Sequence, residues 1–562
     1  MATLITPASV QGPILVCEEG LSVWGGVHPA TGEIIDALHP QHGSSLASQI
    51  VMMPTSRGSC TGSGVLLGLA LKGTAPCALV FRESEEILTL GALIAARMFN
   101  RPIAVLRLTA AEYDALAQQP GAEISPTHLR AGDLTWPLAP LSSAGIALSP
   151  TDQDCLAGRN GEAARLAMDI IVAMAAVQGA PRLMDISRVH IDGCIYASPA
   201  LLTFARTMAD KGGRVCVPTT TNAISVDREN WQQQGTPIDF GTAAAQLADA
   251  YVEMGAQPSF TCAPYLLADR PAANEAIAWA ESNAVIYANS VLGARTVKHA
   301  DFMDLCIALT GRAAYSGVYL DENRAARRVI RVTMPTDADE SFWPLLGWLV
   351  GQAAPDRIPL VCGLEQTQPS EDDLKALCAA FGTTSAAPML HIAGITPEGL
   401  RPADPDADTV PLSAQDFADA WQRLNRGAAQ IDLVALGSPH FSAAECATFA
   451  ALMAGSQRAP AVSVIVTVGR GTRQQIERNG VAAQLSAAGV TIVSDLCWCS
   501  ISEPVFPPQA KVLMTNSGKY AHYAPGLSGR AVRFGSLADC AQAARTGLAP
   551  SSPPDWILRA AR

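Results

Sequence analysis

The sequence predicts an α/β protein that contains parallel sheets. Short apolar runs of strand length alternate along the chain with amphipathic segments of helix length. Residues 432–437, 462–468 and 490–494 are apolar almost throughout and are separated by helical patterns. Strands that are apolar on both faces are typical of parallel sheets covered by helices, so these three runs predict one such sheet near the C-terminus.

The composition indicates a large globular protein. The chain has 562 residues, of which 49% are hydrophobic and 16% are charged. This length allows roughly three or four domains, and such an apolar composition excludes a disordered protein. The formal net charge of -12 argues against a surface that binds DNA or RNA through their phosphates.

The distribution of apolar residues predicts a cytoplasmic protein. The N-terminus lacks the basic and apolar segments of a signal peptide, and no run reaches the roughly 18 apolar residues of a membrane span. In the cytoplasm the fourteen cysteines are expected to be thiols. Most of them should be small buried hydrophobic residues, and a few could bind a metal.

A Gly/Ser-rich turn is the main feature of the first predicted domain, residues 1–135. A buried strand at 50–54 leads into residues 55–64 (TSRGSCTGSG), and a helix is predicted over 65–72. Such a turn directs backbone N–H groups and the positive end of the helix dipole towards one point, which suits a carboxylate. An ordinary turn capped by its serines is the alternative.

The rest of this domain continues the alternation. Strands are predicted at 75–82 and 101–108, with a helix at 87–100 between them. Residues 118–150 are rich in Pro, Gly and Ser and show little periodicity, and the linker is predicted there, at 136–150.

The large part, residues 151–562, begins with a helix predicted over 163–178. A strand within 215–222 ends in the polar turn that contains Asn222. In open α/β sheets ligands bind beyond the carboxyl ends of strands, so this turn predicts a pocket wall, with a plain loop as the alternative.

The segment 278–296 carries an unusual set of polar residues on an apolar background. In a predicted helix Ser282 and Asn289 stand seven residues apart, as do Asn283 and Ser290, so all four share one face. Buried polar groups need hydrogen-bond partners, which either a cofactor or a neighbouring part of the protein could supply.

Eight motifs occur in one order along the chain. They are R-G-S-C-T-G-S at 57–63, P-T-T-T-N at 218–222, T-C-A-P-Y at 261–265, A-W-A-E-S-N-A-V-I-Y-A-N-S-V-L-G-A-R-T at 278–296, L-D-E-N-R at 320–324, H-I-A-G-I-T-P-E at 391–398, D-L-C at 495–497 and T-N-S-G-K-Y-A-H-Y at 515–523. In these motifs the sequence resembles the aconitase X family. The resemblance implies an aconitase-like fold, with an N-terminal swivelling small domain fused to a large α/β/α part that carries an iron–sulfur cluster.

The fused arrangement is similar to the bacterial type of this family, whose members dehydrate cis-3-hydroxy-L-proline to Δ1-pyrroline-2-carboxylate. The resemblance therefore implies a hydro-lyase for a small cyclic hydroxy amino acid. It implies no nucleic-acid or membrane partner and no obligatory protein partner, because both parts lie on one chain. Two alternatives are a mevalonate 5-phosphate dehydratase of the same family and a non-catalytic sensor that binds a cluster.

The resemblance also implies three cluster ligands, Cys262, Cys497 and Cys540. Three thiolates would leave a coordination position open for substrate, and a 2Fe–2S cluster is expected in preference to a cubane. Cys499 lies two residues after Cys497, so which thiolate of this pair binds is left open.

The catalytic base implied by the resemblance is Ser59 in the R-G-S-C-T-G-S turn, with Ser63 as its rival. Glu281 is implied as an iron ligand or a hydrogen-bond partner. The implied substrate contacts are Arg57, Ser63, Gly193, Cys194, Ile195, Asn222 and Lys519.

Overall fold

The computed structural model describes residues 2–36, 39–57 and 60–560. It divides into two compact units. The first unit comprises Met1–Thr219, Asp249–Ala256 and Lys298–Leu320, and the second comprises Thr220–Ala248, Gln257–Val297 and Asp321–Arg562. The strand Thr219–Thr221 and the helix Ile238–Glu253 contain residues of both.

A nine-stranded mixed sheet forms the N-terminal part of the first unit. In spatial order its strands are Leu134–Pro137, His128–Ala131, Gly121–Ile124, Val10–Val16, Ile50–Met53, Ala78–Phe81, Ala104–Arg107, Thr3–Thr6 and Ala139–Pro140. The four strands from Val10–Val16 to Ala104–Arg107 run parallel. Short helices Val23–Gly26 and Ala110–Leu116 accompany the longer Gly62–Lys72 and Ile87–Phe99, which pack against each other.

The strands and helices predicted for residues 50–108 are confirmed within a few residues. The prediction of irregular chain from residue 118 was wrong, because Gly121–Ile124, His128–Ala131 and Leu134–Pro137 form an antiparallel meander. Each strand has only four residues. Alternation over so short a length does not stand out from a Pro- and Gly-rich background.

The remainder of the first unit is mainly helical. Its helices are Pro150–Leu156, Glu162–Val177, Pro199–Asp210 and Met303–Thr310, with a 3-10 turn at Gly317–Tyr319. Glu162–Val177 confirms the helix predicted there, and Met303–Thr310 packs against it. The strands Leu183–Asp185 and Arg312–Ala314 pair antiparallel, and Val189–Ile191 is a further short strand.

The second unit contains a five-stranded sheet in which every pair is parallel. Its strand order is Thr491–Ser494, Ser463–Val468, Leu433–Leu436, Val512–Thr515 and Ala531–Phe534. The helices among these strands are Ala443–Leu452, Arg470–Arg478, Val481–Ala487, Gly518–Ser528 and Leu537–Thr546. The sheet predicted from the three apolar runs is confirmed. Since later strands add on both sides of Leu433–Leu436, its carboxyl end is a topological switch point, where such sheets bind ligands.

A second parallel sheet precedes it in the chain. Its order is His391–Ile392, Pro359–Cys362, Arg328–Arg331 and Asp408–Pro411. Its helices are Phe342–Ala353, Glu371–Thr384, Ala414–Arg423 and the C-terminal Asp555–Ala560, and 3-10 turns lie at Pro264–Leu266 and Asp321–Arg324. Gly347 lets the first two helices approach closely, because a Cβ there would overlap the Leu377 carbonyl.

The segment 278–296 differs from the single predicted helix. Ala278–Trp279 is a short strand, the α-helix is only Ser282–Tyr287, and Ala288–Leu292 forms a π-turn. Glu281 caps the helix, and the wider π-turn breaks the seven-residue spacing on which a shared face depended. The prediction of one continuous polar stripe was therefore wrong.

Within the residues that the structure describes, no helix combines the length and the apolar character needed to cross a membrane.

Candidate active site

Three cysteines of the second unit pack together, of which Cys262 and Cys497 are buried and Cys499 is half-buried. Cys262, Cys497 and Cys499 form a small cluster with Ala223. Cys262 precedes the turn Pro264–Leu266, and the other two follow the carboxyl end of the strand Thr491–Ser494. Hydrogen bonds from Cys262 and then Cys499 hold the pKa of the Cys497 thiol well below its ordinary value. The three side chains thus interact directly, with Cys497 between Cys262 and Cys499.

The donor set determines what this cysteine cluster could hold. Among the described residues no three His, Cys, Asp or Glu side chains are spaced to bind a single metal ion. The thiolates of an iron–sulfur cluster are distributed over at least two irons, so they do not all have to converge on one point, and cysteine is the usual ligand of such clusters. Cys262, Cys497 and the half-buried Cys499 therefore have the ligand type that an iron–sulfur cluster requires.

His440 connects the two cysteine-bearing loops. Its Nε2 lies 2.7 Å from the Leu496 carbonyl and its Nδ1 lies 3.1 Å from the Thr261 hydroxyl. Because a carbonyl only accepts, Nε2 carries the hydrogen and Nδ1 accepts from Thr261. Burial lowers the pKa of His440, which favours this neutral form. Its backbone N–H also donates to Cys262 Sγ at 3.3 Å.

Our sequence predictions missed His440. It follows the strand Leu433–Leu436 in the turn Gly437-Ser438-Pro439-His440, and so lies at the carboxyl end of a central parallel strand. That position was the available signal, because ligand sites in such sheets form there.

Lys519 and Glu281 form a buried ion pair near the cysteines. Lys519 Nζ donates to Glu281 Oε1 at 2.7 Å. Burial alone would lower the pKa of Lys519, but the Glu281 carboxylate and the three cysteines raise it well above its ordinary value. Burial likewise opposes ionisation of Glu281, while Lys519 outweighs it and lowers that pKa. Both side chains are therefore charged.

Asn222 is brought to the same place. Its Nδ2 donates to Glu281 Oε2 at 3.3 Å, and its side chain is buried. Asn222 and Lys519, which lie 297 positions apart in sequence, thus meet on one carboxylate.

The polar residues of 278–296 are satisfied by the protein itself. Asn283 donates to the Cys262 carbonyl at 3.0 Å and accepts from the Tyr265 hydroxyl at 2.7 Å. Asn289 donates to the carbonyls of Thr296 and Pro388. Hydrogen bonds within the protein, rather than a cofactor, therefore account for the amides of Asn283 and Asn289. Of these two residues only Asn283 supports a cysteine-bearing loop.

The structure does not bring Cys540 to the other two predicted ligands. Cys540 lies in the helix Leu537–Thr546 and is fully buried in the apolar core of the five-stranded sheet, with Cys446 and Met514. Burial raises the pKa of its thiol well above the ordinary value. Its surroundings are those of a packing residue, and Cys499 occupies the place beside Cys262 and Cys497.

The residues predicted in the Gly/Ser-rich turn lie in the first unit. Ser59 falls outside the described residues. Arg57 is half exposed and pairs with Glu19 at 2.9 Å. Ser63 is fully buried, and its hydroxyl donates to the Cys60 carbonyl at 3.0 Å and lies 3.3 Å from the Asp301 carbonyl. Both contacts of this hydroxyl are thus with backbone carbonyls of the first unit.

Gly193, Cys194 and Ile195 form a turn after the strand Val189–Ile191 in the first unit. The buried Asp304 carboxylate accepts the backbone N–H groups of Asp192 at 2.7 Å and of Gly193 at 3.4 Å. Burial raises the pKa of Asp304 to about 6 although these N–H groups favour its charged form. Asp304 therefore fixes the backbone of this turn.

Family models match the chain in four consecutive segments. The Aconitase X swivel domain matches residues 2–130, the first domain matches 145–322, the second domain matches 326–422 and the third domain matches 431–546. Together they span most of the chain, and they place swivel and large parts on one polypeptide.

Known proteins show the same likeness. Cis-3-hydroxy-L-proline dehydratases of Pseudomonas aeruginosa and Hypocrea jecorina are 50% and 45% identical, over 99% of this chain and 99% and 96% of their own. The phosphomevalonate dehydratase large subunit of Methanothermobacter thermautotrophicus is 32% identical over 68% of this chain and 95% of its own.

A crystal structure of Thermococcus kodakaraensis aconitase X in its holo-form superposes with a TM-score of 0.65 at 28% identity, covering 71% of this chain and 100% of that one. The predicted aconitase-like α/β fold is confirmed by this likeness and by the swivel match. The likeness of this chain, over its full length, to the two cis-3-hydroxy-L-proline dehydratases shows that the chain is a hydro-lyase. The chain belongs to the aconitase X family.

Proposed function

We propose that this chain removes water from cis-3-hydroxy-L-proline to give Δ1-pyrroline-2-carboxylate. The Pseudomonas aeruginosa enzyme that bears this substrate's name is 50% identical over 99% of both chains. The likeness to the phosphomevalonate dehydratase large subunit is 32% and covers 68% of this chain. Identity and coverage together favour the hydroxyproline substrate.

The proposed cofactor is an iron–sulfur cluster held by Cys262, Cys497 and Cys499, with 2Fe–2S preferred to a cubane. The packing of the half-buried Cys499 against the buried Cys262 and Cys497 is the observation that carries the proposal. When bound, such a cluster supplies a Lewis-acidic iron for the departing hydroxyl. The N–H of His440, 3.3 Å from Cys262 Sγ, would stabilise the thiolate form of that ligand.

Lys519 and Asn222 are the proposed substrate-binding groups of the second unit. Both already bind the Glu281 carboxylate, so their donors are suited to a substrate carboxylate as well. Glu281 keeps Lys519 protonated and oriented in a region from which water is largely excluded. Lys519 Nζ carries three N–H donors, so it can bind a second carboxylate beside Glu281.

Ser59 is the proposed base. In the proposed reaction its ionised Oγ takes the C2 proton, the C2 electron pair forms the C2–C3 double bond as the C3–O bond breaks, and the released hydroxide takes a proton from solvent to leave as water. Ser59 then returns its proton to solvent, and the enamine product tautomerises to the cyclic imine. A serine needs nearby positive charge to act in this way. Arg57 and the N-terminal end of the helix Gly62–Lys72 are the sources of that charge close to it in the chain. Arg57, Gly193, Cys194 and Ile195 remain proposed substrate contacts.

The proposal is tested on protein purified without oxygen. We expect a brown protein that contains iron and acid-labile sulfide and that converts cis-3-hydroxy-L-proline. Ser59→Ala should keep the visible spectrum and lose turnover, whereas the matched Ser63→Ala should keep most of the activity, because the Ser63 hydroxyl bonds to the Cys60 carbonyl. Normal turnover by Ser59→Ala would remove Ser59 as the base.

The same protein distinguishes the alternatives when mevalonate 5-phosphate is assayed beside cis-3-hydroxy-L-proline. Water loss from the phosphorylated substrate alone would show that the substrate assignment is wrong. A stable cluster without turnover of either substrate would favour the sensor.

A further inference from the structure

Each cysteine-bearing loop begins at a residue with a positive φ. Phe260 has a φ of 39° and Asp495 has a φ of 70°. Positive φ is uncommon for residues other than glycine and is a genuine outlier for a bulky side chain. Both residues are buried, and each lies two positions before a clustered cysteine, Cys262 or Cys497. Surrounding contacts must hold these conformations in place.

One side chain contacts both residues. Arg470 Nε lies 2.6 Å from Asp495 Oδ1 and its Nη2 lies 2.7 Å from Asp495 Oδ2. The guanidinium carbon of Arg470 lies 4.8 Å from the centroid of the Phe260 ring. A planar guanidinium can make a two-pronged carboxylate bond and stack on an aromatic ring at once, which a lysine cannot do.

The Arg470 position is itself well supported. It is the first residue of the helix Arg470–Arg478, directly after the strand Ser463–Val468 and Gly469. The arginine is thereby fixed at the carboxyl end of a central strand, on the same sheet edge as His440 and Cys497.

Asp495 also holds the segment that follows Asn222. Its carbonyl accepts the N–H of Ile224 at 2.8 Å, and its Oδ2 accepts the N–H of Arg228 at 3.3 Å. Three segments that carry candidate site residues, namely 222–228, 260–262 and 495–499, are thus joined through the Arg470–Asp495 pair. These segments carry Ala223 and the three thiols, which pack together.

We propose that Arg470 is a positioning residue that holds both cysteine loops in the arrangement required to bind the cluster. The inference rests on the proposed cluster function of Cys262, Cys497 and Cys499. Without Arg470, Phe260 and Asp495 relax towards negative φ, and the two loops no longer present their thiols to one another. Arg470 acts through Phe260 and Asp495, so its replacement acts on the cluster without removing a proposed substrate-binding group.

The test compares Arg470→Gln with Arg478→Gln. Arg478 is on the same helix, is exposed and donates to the Gln474 carbonyl of its own helix, so its replacement removes an equal charge. After anaerobic reconstitution, Arg470→Gln should lose iron to a chelator about tenfold faster than the wild type, as is typical when a supporting contact of a metal site is removed. Arg478→Gln should match the wild type, and Arg470→Lys should fall between the two.

A second readout does not need the cluster. In iron-free protein with its native circular dichroism spectrum, we expect iodoacetamide to alkylate Cys262 and Cys497 faster in Arg470→Gln than in the wild type, measured by peptide mass spectrometry. Asp495→Asn keeps the size of the side chain and loses the ion pair, so it should show the same change. These results would support the positioning role of Arg470 even if the wild type bound no iron. Absence of iron from the wild type would instead overturn the proposed cluster.

The positioning role of Arg470 is overturned if Arg470→Gln and Arg470→Lys both keep wild-type rates of iron loss and of alkylation. It is also overturned if Arg470→Gln changes alkylation of Cys540, in the distant apolar core, as much as that of Cys262. Such uniform exposure would mean general loosening of the second unit.

Discussion

Lys519 and Glu281 form an ion pair of 2.7 Å in which 8% and 12% of the two side chains are exposed. A pair so nearly buried adds little stability over a well-packed apolar pair, because desolvation of both charges offsets their attraction. Its position beside three thiols is better explained by a need for charge at this place. We therefore expect its loss to impair substrate binding as well as folding.

The first prediction concerns Lys519→Met, which leaves the Glu281 carboxylate buried without its cation. The free energy of unfolding should fall by roughly 3–5 kcal/mol, the usual effect of removing half of a buried pair. The double replacement Lys519→Met with Glu281→Gln should restore part of the stability without restoring activity, because glutamine carries no charge and keeps one oxygen acceptor for the donors of Asn222 and Asn283. Urea denaturation measures the stability of both variants, and loss of water from the substrate measures their activity. Lys511→Met, at an exposed position, is the control. Wild-type stability in Lys519→Met would show that Glu281 is not held in a charged state.

The second prediction separates the two candidates for the third cluster ligand. Cys499→Ser should abolish or greatly reduce the iron and sulfide content, because Cys499 packs beside Cys262 and Cys497. Cys540→Ser should keep the cluster and lower stability only, since that thiol lies in the apolar core. Iron analysis and the visible spectrum decide the matter. A cluster that is kept in Cys499→Ser and lost in Cys540→Ser would show that Cys540 is the third ligand, as the family resemblance implies.

The third prediction concerns Asn283, which joins Tyr265 to the Cys262 loop. Asn283→Leu should lower the free energy of unfolding by roughly 2–4 kcal/mol, because the Tyr265 hydroxyl and the Cys262 carbonyl lose their partner while buried. Adding Tyr265→Phe removes one of the two orphaned groups, so the double variant should be less destabilised than the sum of the two single variants. Simple additivity in urea titrations would argue against this bond.

The fourth prediction uses the buried Asp304, whose pKa is raised to about 6 by burial. Near pH 4 this carboxyl is protonated in the folded chain and about half protonated in the unfolded chain. As pH rises towards 6 the unfolded chain releases this proton first, so the folded state loses stability. The stability of Asp304→Asn relative to that of the wild type should therefore rise by roughly 2 kcal/mol between pH 4 and pH 7.

Urea titrations at several pH values measure this difference. Asp133→Asn, at an exposed position of the same unit, is the control and should follow the wild type. A constant difference between Asp304→Asn and the wild type across this range would contradict the raised pKa.

Much of the secondary structure could be predicted because it depends on local patterns. The helix Glu162–Val177 has an apolar face, and the strand Ile50–Met53 is a fully buried apolar run followed by glycine and serine. Both signals lie within a few residues of sequence. The segment 278–296 could not be predicted in the same way, because its strand, cap and π-turn follow from contacts with distant groups such as the Cys262 carbonyl.

The ligand cysteines show the limit of inference from motifs. Cys262 and Cys497 were identified through the motifs T-C-A-P-Y and D-L-C, and the structure brings them together. Cys540 came from the same resemblance, yet the chain after Ala531–Phe534 carries it into the core of the sheet. Arg470 and His440 belong to no quoted motif, and their contacts with both cysteine loops appear only in the folded chain.

The sequence by itself therefore determined the α/β class, the parallel C-terminal sheet and the family, since apolar periodicity and ordered motifs are properties of the linear chain. Only the tertiary structure decided which thiols meet, that Lys519 and Asn222 share Glu281, and that Arg470 contacts both Phe260 and Asp495. The physical reason is that hydrogen bonds and ion pairs act over a few ångströms. Residues hundreds of positions apart come within that range only when the strands of a sheet align their carboxyl ends.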